Sequence, residues 1–198
     1  MVEVRVNGEV APIVSQGVSR VADLVELIKS WIDPEHMITG LQINGSDLQD
    51  ADWAAGMSHF GETAVIEVET GTPREYVNSR LVVAADVVRT CYNQFRDARK
   101  EFQAGNMRAG NQNLMKAVET LQAYFQWYGT LLELVPVTQR ADYDLGSQVV
   151  EISDICKRIC QQQLYQSWWA LGETLEKELE PKLDKLEDHC RKFRAMVQ

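Results

Sequence analysis

The chain has 198 residues, 45% of them apolar and 25% charged, and carries a net charge of −9. This is the balance of a soluble globular protein with one domain or two small ones. No basic stretch followed by an apolar one opens the sequence, and no run approaches the roughly 18 apolar residues of a membrane span, so a cytoplasmic protein that does not cross a membrane is expected.

The charge is unevenly spread. Residues 1–73 hold 12 acidic and 3 basic residues, a sum of −9, whereas residues 74–198 hold 17 of each. Such asymmetry predicts two modules and argues against nucleic acid as a partner of the first, because phosphate binding needs a basic face.

Val2, Val4 and Val6 alternate with Glu3 and Arg5, the period of a half-buried strand, and Asn7-Gly8 is a hairpin turn signal. Val10 to Val14 is the expected returning strand, with Pro12 marking an edge or bulge. Ser19 is placed to cap a helix with apolar positions Val21, Leu24, Leu27, Ile28 and Trp31, ended by Asp33-Pro34. Leu41-Gln42-Ile43 reads as a short strand, Asn44-Gly45 as a second turn, and Ala64 to Val68 as a last strand with Val65 or Ile66 and Val68 available for burial.

That order, together with Gly40-Leu41-Gln42-Ile43-Asn44-Gly45-Ser46-Asp47-Leu48-Gln49-Asp50, resembles the ubiquitin-like β-grasp family. The resemblance implies a compact acidic adaptor module. The last strand runs on through Thr70-Gly71-Thr72-Pro73 instead of ending in Gly-Gly, and Gln42 stands where the family's recognition patch has isoleucine. Conjugation to substrates and reading by ordinary ubiquitin receptors are therefore not implied. The first domain is assigned to residues 1–72 and the second to residues 75–198, with the short stretch Thr70 to Arg74 between them expected to restrict their mutual orientation.

The second domain is organised around residues 81–135. Leu81, Ala84, Val88, Cys91, Phe95, Ala98 and Phe102 form one helical stripe. Leu114, Val118, Leu121, Phe125, Tyr128, Leu132 and Val135 form another, and Ala104-Gly105-Asn106 is the turn between them. Each half predicts a helix of roughly 28 residues, and the pair an antiparallel hairpin. A third stripe takes Asp142, Asp144, Leu145, Val149, Ile152, Cys156 and Ile159, with its N-terminus between Thr138 and Asp142. The pattern then runs through Leu164, Trp168, Leu171, Leu175, Leu179, Leu183, Leu186, Cys190, Phe193 and Val197. The steps of four from Leu171 to Leu183 relax or reverse supercoiling locally. A turn is expected near Gly172 or a few residues before it, and a kink at Pro181. The fold class is α+β: a small β-grasp domain followed by an antiparallel bundle of four helices.

No phosphate loop, nucleophile elbow or metalloprotease helix is present. Cys156, Cys160, His189 and Cys190 could together hold zinc or haem iron between helices, but their spacing matches no ribbon, finger or haem attachment motif. Buried structural thiols are the expected reading for Cys91, Cys156, Cys160 and Cys190. No cofactor is assigned. The acidic residues of the last helix alternate with Lys177, Lys182 and Lys185, as on a solvated face. His189 and Cys190, adjacent on a helix, point about 100° apart and make no dyad.

The run Tyr124-Phe125-Gln126-Trp127-Tyr128 sweeps around its whole helix, so part of it must leave the core. Trp168 suits its stripe and Trp169 does not. Either a wide core or the docked β-module covers these rings, or they line an apolar groove for a partner segment. On the second reading Tyr124, Trp127 and Trp169 are the partner-binding residues.

Phe95-Arg96-Asp97-Ala98-Arg99-Lys100-Glu101-Phe102-Gln103-Ala104-Gly105-Asn106, followed by Leu114-Met115-Lys116-Ala117, resembles the central hairpin of flagellin export chaperones. Those are small helical bundles that hold an unfolded client tail in apolar grooves. The expected function is thus non-catalytic protein binding, adaptor or secretion-chaperone-like, with an unidentified protein partner. The alternative is a metal- or cofactor-binding helical enzyme or carrier.

Overall fold

A computed structural model of the chain describes residues 2–13, 18–61 and 63–195. They form two compact units, Met1–Tyr76 and Val77–Gln198.

The first unit is a mixed sheet of five strands in the order β2-β1-β5-β3-β4, with one helix against it. The strands are β1 (Glu3–Val6), β2 (Glu9–Val10), β3 (Met37–Ile43), β4 (Ser46–Asp47) and β5 (Val65–Gly71), and the helix is α1 (Val21–Trp31). β1 pairs in parallel with β5, and the other pairings are antiparallel. This is the β-grasp arrangement.

Both Asn-Gly turns behave as their sequence demands. Asn7 and Gly8 have φ of 51° and 84°, and Asn44 and Gly45 have 53° and 76°. Two successive positive φ values match the right-handed twist of the flanking strands. Each asparagine also ties its turn to β5: Asn7 Oδ1 accepts from Thr70 N and Asn44 Oδ1 from Val65 N, both at 2.9 Å. Val4, Val6, Ile66 and Val68 of the sheet close on Val21, Leu24, Val25 and Ile28 of α1. Ile66 is thus the buried member of the Val65/Ile66 pair.

Several local expectations shift. Arg20 takes the N-cap of α1 without a side-chain cap bond, and Ser19 instead reaches Asp23 at 3.4 Å. β3 is seven residues long, and β2 stops at Val10. Val14 lies outside the described residues.

The second unit is helical. α2 (Pro73–Leu81) straddles the division between units and opens on a capping box. Thr72 N donates to Glu75 Oε2 at 2.9 Å, while Glu75 N donates to Thr72 Oγ1 at 3.2 Å. α3 (Ala84–Gln103) and α4 (Met107–Glu133) form the expected hairpin, turned at Gly105 with φ 79°. All seven residues of the first stripe, Leu81 to Phe102, are buried. A 3-10 segment (Val137–Tyr143) precedes α5 (Gly146–Leu164), which begins several residues later than expected.

Gln166, at φ 54°, turns the chain into α6 (Trp168–Thr174); Gly172, the expected breaker, sits inside that helix. α6 continues through a π-helical turn, Leu175–Leu179, into α7 (Glu180–Ala195). The π turn accounts for the steps of four: the wide turn keeps Leu171, Leu175, Leu179 and Leu183 in the core, each 0% exposed. It also ends two residues before Pro181, whose missing N–H and ring would otherwise break the α-helical ladder. Leu186, Cys190 and Phe193 continue the buried stripe, while Leu164 is exposed. Val197 lies outside the described residues.

α3 packs along both α4 and α7. Between α3 and the last helix runs a ladder of ion pairs. Arg99 Nε meets Glu180 Oε1 at 2.8 Å, and Arg89 meets Glu187 at 2.5 Å and Asp184 at 3.4 Å. Glu180 and Glu187 are buried, so the salt-bridged face of α7 is partly an interior seam.

Candidate functional site

α4 carries more apolar surface than its partner α3 can cover. Its buried face takes Leu114, Ala117, Leu121, Tyr124, Tyr128 and Leu131. The stripe expected from sequence shares Leu114, Leu121 and Tyr128, but places Val118, Phe125 and Leu132 between them, on the other flank. Those three are half-buried. The small residues settle which flank enters the core. Gly110 sits so near Phe102 that a Cβ there would lie 2.6 Å from the ring. Ala117 and Ala98 are both fully buried.

Val118 and Phe125 are thereby released to a groove between α4 and α5. Helix α5 buries Ile152, Ile155 and Ile159 and turns Cys156 and Cys160 toward the same groove. The cavity holds about 460 Å³ and is lined by Val118, Leu121, Phe125, Ile152, Cys156 and Cys160, with Gln122 and Lys157 at its rim. Burial pushes the Cys156 thiol up to about 12, so it is uncharged at neutral pH, whereas Cys160, expected as a buried thiol, is exposed.

A second depression of about 460 Å³ shares Cys160 and extends to Asn111, Leu164 and Trp168. There Gln163 Nε2 donates to Asn111 Oδ1 at 2.9 Å, tying α5 to α4. From Phe125 to Asn111 the groove follows about 21 Å of α4 at 1.5 Å per residue. That is close to four helical turns. At its end Leu164, Tyr165 and Trp169 stand 77%, 76% and 80% exposed within six residues.

The expected binding residues separate. Tyr124 is 2% exposed. Its hydroxyl shares a 3.1 Å hydrogen bond with Cys190 Sγ, and burial pushes its pKa up. It is a core residue that shows only an edge to a neighbouring depression. Trp127, half-buried, lines that depression, about 440 Å³ in volume, with Val83, Val87, Thr120 and Ala123. Trp169 is in open solvent, while Trp168 stacks on Phe102 with ring centroids 5.4 Å apart. The three are not brought together. Sequence reasoning alone puts the groove residues Val118, Phe125, Cys156 and Cys160 in the core. The signal for a second face is the excess of apolar positions on both flanks of one helix.

The candidate metal ligands are dispersed as well. Cys190 bonds Tyr124, and His189 Nδ1 lies 3.1 Å from Gln148 Nε2. Among the described residues no three His, Cys, Asp or Glu side chains are placed to hold a metal ion, and no helix is long and apolar enough to cross a membrane. Compared with family models, curated proteins and solved structures, the chain has no match.

Proposed function

We propose that the chain is a non-catalytic protein-binding factor, adaptor or secretion-chaperone-like, whose α4/α5 groove receives an amphipathic helix of a partner. The first unit is then an acidic, ubiquitin-like adaptor module. The observation that carries the reading is the pairing of Val118 and Phe125 with Cys156 and Cys160 across an open apolar seam. Helix-in-groove recognition needs a hydrophobic trough a few turns long with a polar rim, and Gln122 and Lys157 supply that rim. The exposed group Leu164, Tyr165 and Trp169 extends the apolar surface beyond the trough.

The test is photo-crosslinking in the native cell with a benzophenone amino acid at Gln122, at Lys157 and, as a control outside the groove, at Glu119. One partner should be captured from the first two positions and not from the third. Ser153→Trp, which fills the groove from α5, should abolish capture. Equal capture from Glu119, or capture insensitive to Ser153→Trp, would overturn the reading.

A further inference from the structure

The first unit has a surface of its own, independent of the helical groove. β4 is only two residues long and covers only Gln42 and Ile43 of β3. The next backbone contact on that side, Leu48 N to Leu41 O at 3.4 Å, reaches one residue further. From Met37 to Gly40, β3 has β5 on one side and, among the described residues, no strand on the other.

Sheets usually guard such an edge with charge, proline or brevity. The opposite margin of this sheet does so: β2 has two residues, one of them Glu9, and Pro12 follows. Met37-Ile38-Thr39-Gly40 carries neither charge nor proline, and its one irregularity is a register shift against β5 between Ile38 and Gly40.

The open edge borders a cleft of about 780 Å³. Six consecutive residues, His36 to Leu41, line it, the last five from β3. Side chains alternate between faces along a strand on either side of the register shift at Thr39, so a cleft that touches Met37 to Leu41 in a row runs along the strand's margin. Its other wall is Val25, Lys29 and Ile32 from α1 and its flank, with Trp53 nearby, 42% exposed. The Lys29 ammonium is engaged by Glu26 at 2.7 Å. Asp33 adds a further carboxylate at the rim, in a unit whose first 73 residues sum to −9.

We propose that this edge binds an extended peptide segment of a protein partner by strand addition. The segment pairs its backbone with Met37–Gly40, places an apolar side chain against Val25, Ile32 and Trp53, and carries lysine or arginine beside that residue. Unpaired backbone groups select an extended chain, the cleft selects the apolar side chain, and the acidic surroundings select the basic flank. Four residues at about 3.3 Å each give a paired stretch of about 13 Å, suited to a short linear motif.

The test selects phage-displayed random peptides of about twelve residues on the full-length protein, then measures synthetic copies of the enriched sequence. The enriched peptides should combine an apolar residue with lysine or arginine. Methylating alternate backbone nitrogens of the peptide should weaken binding about tenfold in one register and leave it nearly unchanged in the other, since only one set of N–H groups faces β3. Amides of residues 37–41 should shift on titration, and Thr39→Pro, checked for an unchanged melting temperature, should abolish binding. The proposal is overturned by an absence of enrichment, by insensitivity to methylation in both registers, by a helical bound peptide, or by shifts elsewhere in the chain. A homodimer dissociated by Thr39→Pro would assign the edge to a second copy of the chain and overturn it equally.

Discussion

Two glycines of α4 make opposite predictions for one substitution. Gly129 is exposed, with nothing beyond its own helix backbone and chain neighbours within 4 Å of where an alanine methyl would stand, so Gly129→Ala should stabilise the helix by about 0.5–1 kcal/mol through lower backbone entropy in the unfolded chain. Gly110→Ala gains the same propensity, but its Cβ would lie 2.6, 2.7 and 3.0 Å from Cδ1, Cε1 and Cγ of Phe102. That ring cannot swing aside, because Trp168 stacks on it. Overpacking of this kind costs about 1–3 kcal/mol. Propensity cancels between the two variants, so their separation measures the packing term alone. At roughly 4 °C per kcal/mol for a unit of this size, the melting temperatures should differ by about 4–12 °C, with Gly110→Ala the lower. Circular dichroism at 222 nm reads this directly. In a Phe102→Leu background the penalty at position 110 should largely vanish, a non-additivity expected of touching residues. Equal stabilisation by both alanines would refute the close approach of α3 and α4, and with it the reason Val118 and Phe125 face the groove.

The β-grasp order is legible because its turns are written in Asn-Gly pairs and its strands in alternating valines. The α3 stripe is legible for a similar reason: its seven positions from Leu81 to Phe102, spaced in steps of three and four, are all buried. Sequence and structure part where backbone chemistry is not encoded by residue type. Gln166 adopts positive φ without being glycine or asparagine, so the α5–α6 turn carries no marker, while Gly172 offers a false one. The start of α2 is marked, by Thr72-Pro73 and Glu75, but a capping box beside Gly71 and Pro73 has the composition of a linker. On α4, steps of three-then-four and four-then-three fit the sequence equally. Hydrophobicity favours Val118 and Phe125 for the core, whereas the closeness of the α3–α4 pair selects Gly110 and Ala117. Stray aromatics point to a groove in the sequence, but of the three residues picked there none lines the α4/α5 trough, whose walls are Val118, Phe125, Cys156 and Cys160.

Further perturbations separate core from surface. Leu121→Ala should cost about 2–5 kcal/mol in chemical denaturation, and Trp169→Ala should leave stability almost unchanged, given exposures of 3% and 80%. Glu180→Ala leaves the Arg99 guanidinium with only the half-exposed Glu176, 3.1 Å away, and should cost about 1–3 kcal/mol, whereas replacing both Arg99 and Glu180 by apolar residues should recover most of that loss. Hydrogen bonds from Thr72 hold the Glu75 carboxyl below its usual value of 4.5. Its contribution to α2 is therefore complete above that pH and is lost as pH falls through the lowered value; Glu75→Gln should remove this component from the acid limb of a stability profile.

Calorimetric titration of the crosslinked partner segment into wild type, Ser153→Trp and Trp127→Ala tests the groove most directly. Occupation of the α4/α5 trough predicts a loss of about tenfold or more in affinity for Ser153→Trp with an unchanged melting temperature, and little change for Trp127→Ala. Unaltered affinity in Ser153→Trp, or a loss confined to Trp127→Ala, would contradict the account and move the binding surface to the depression beside α3.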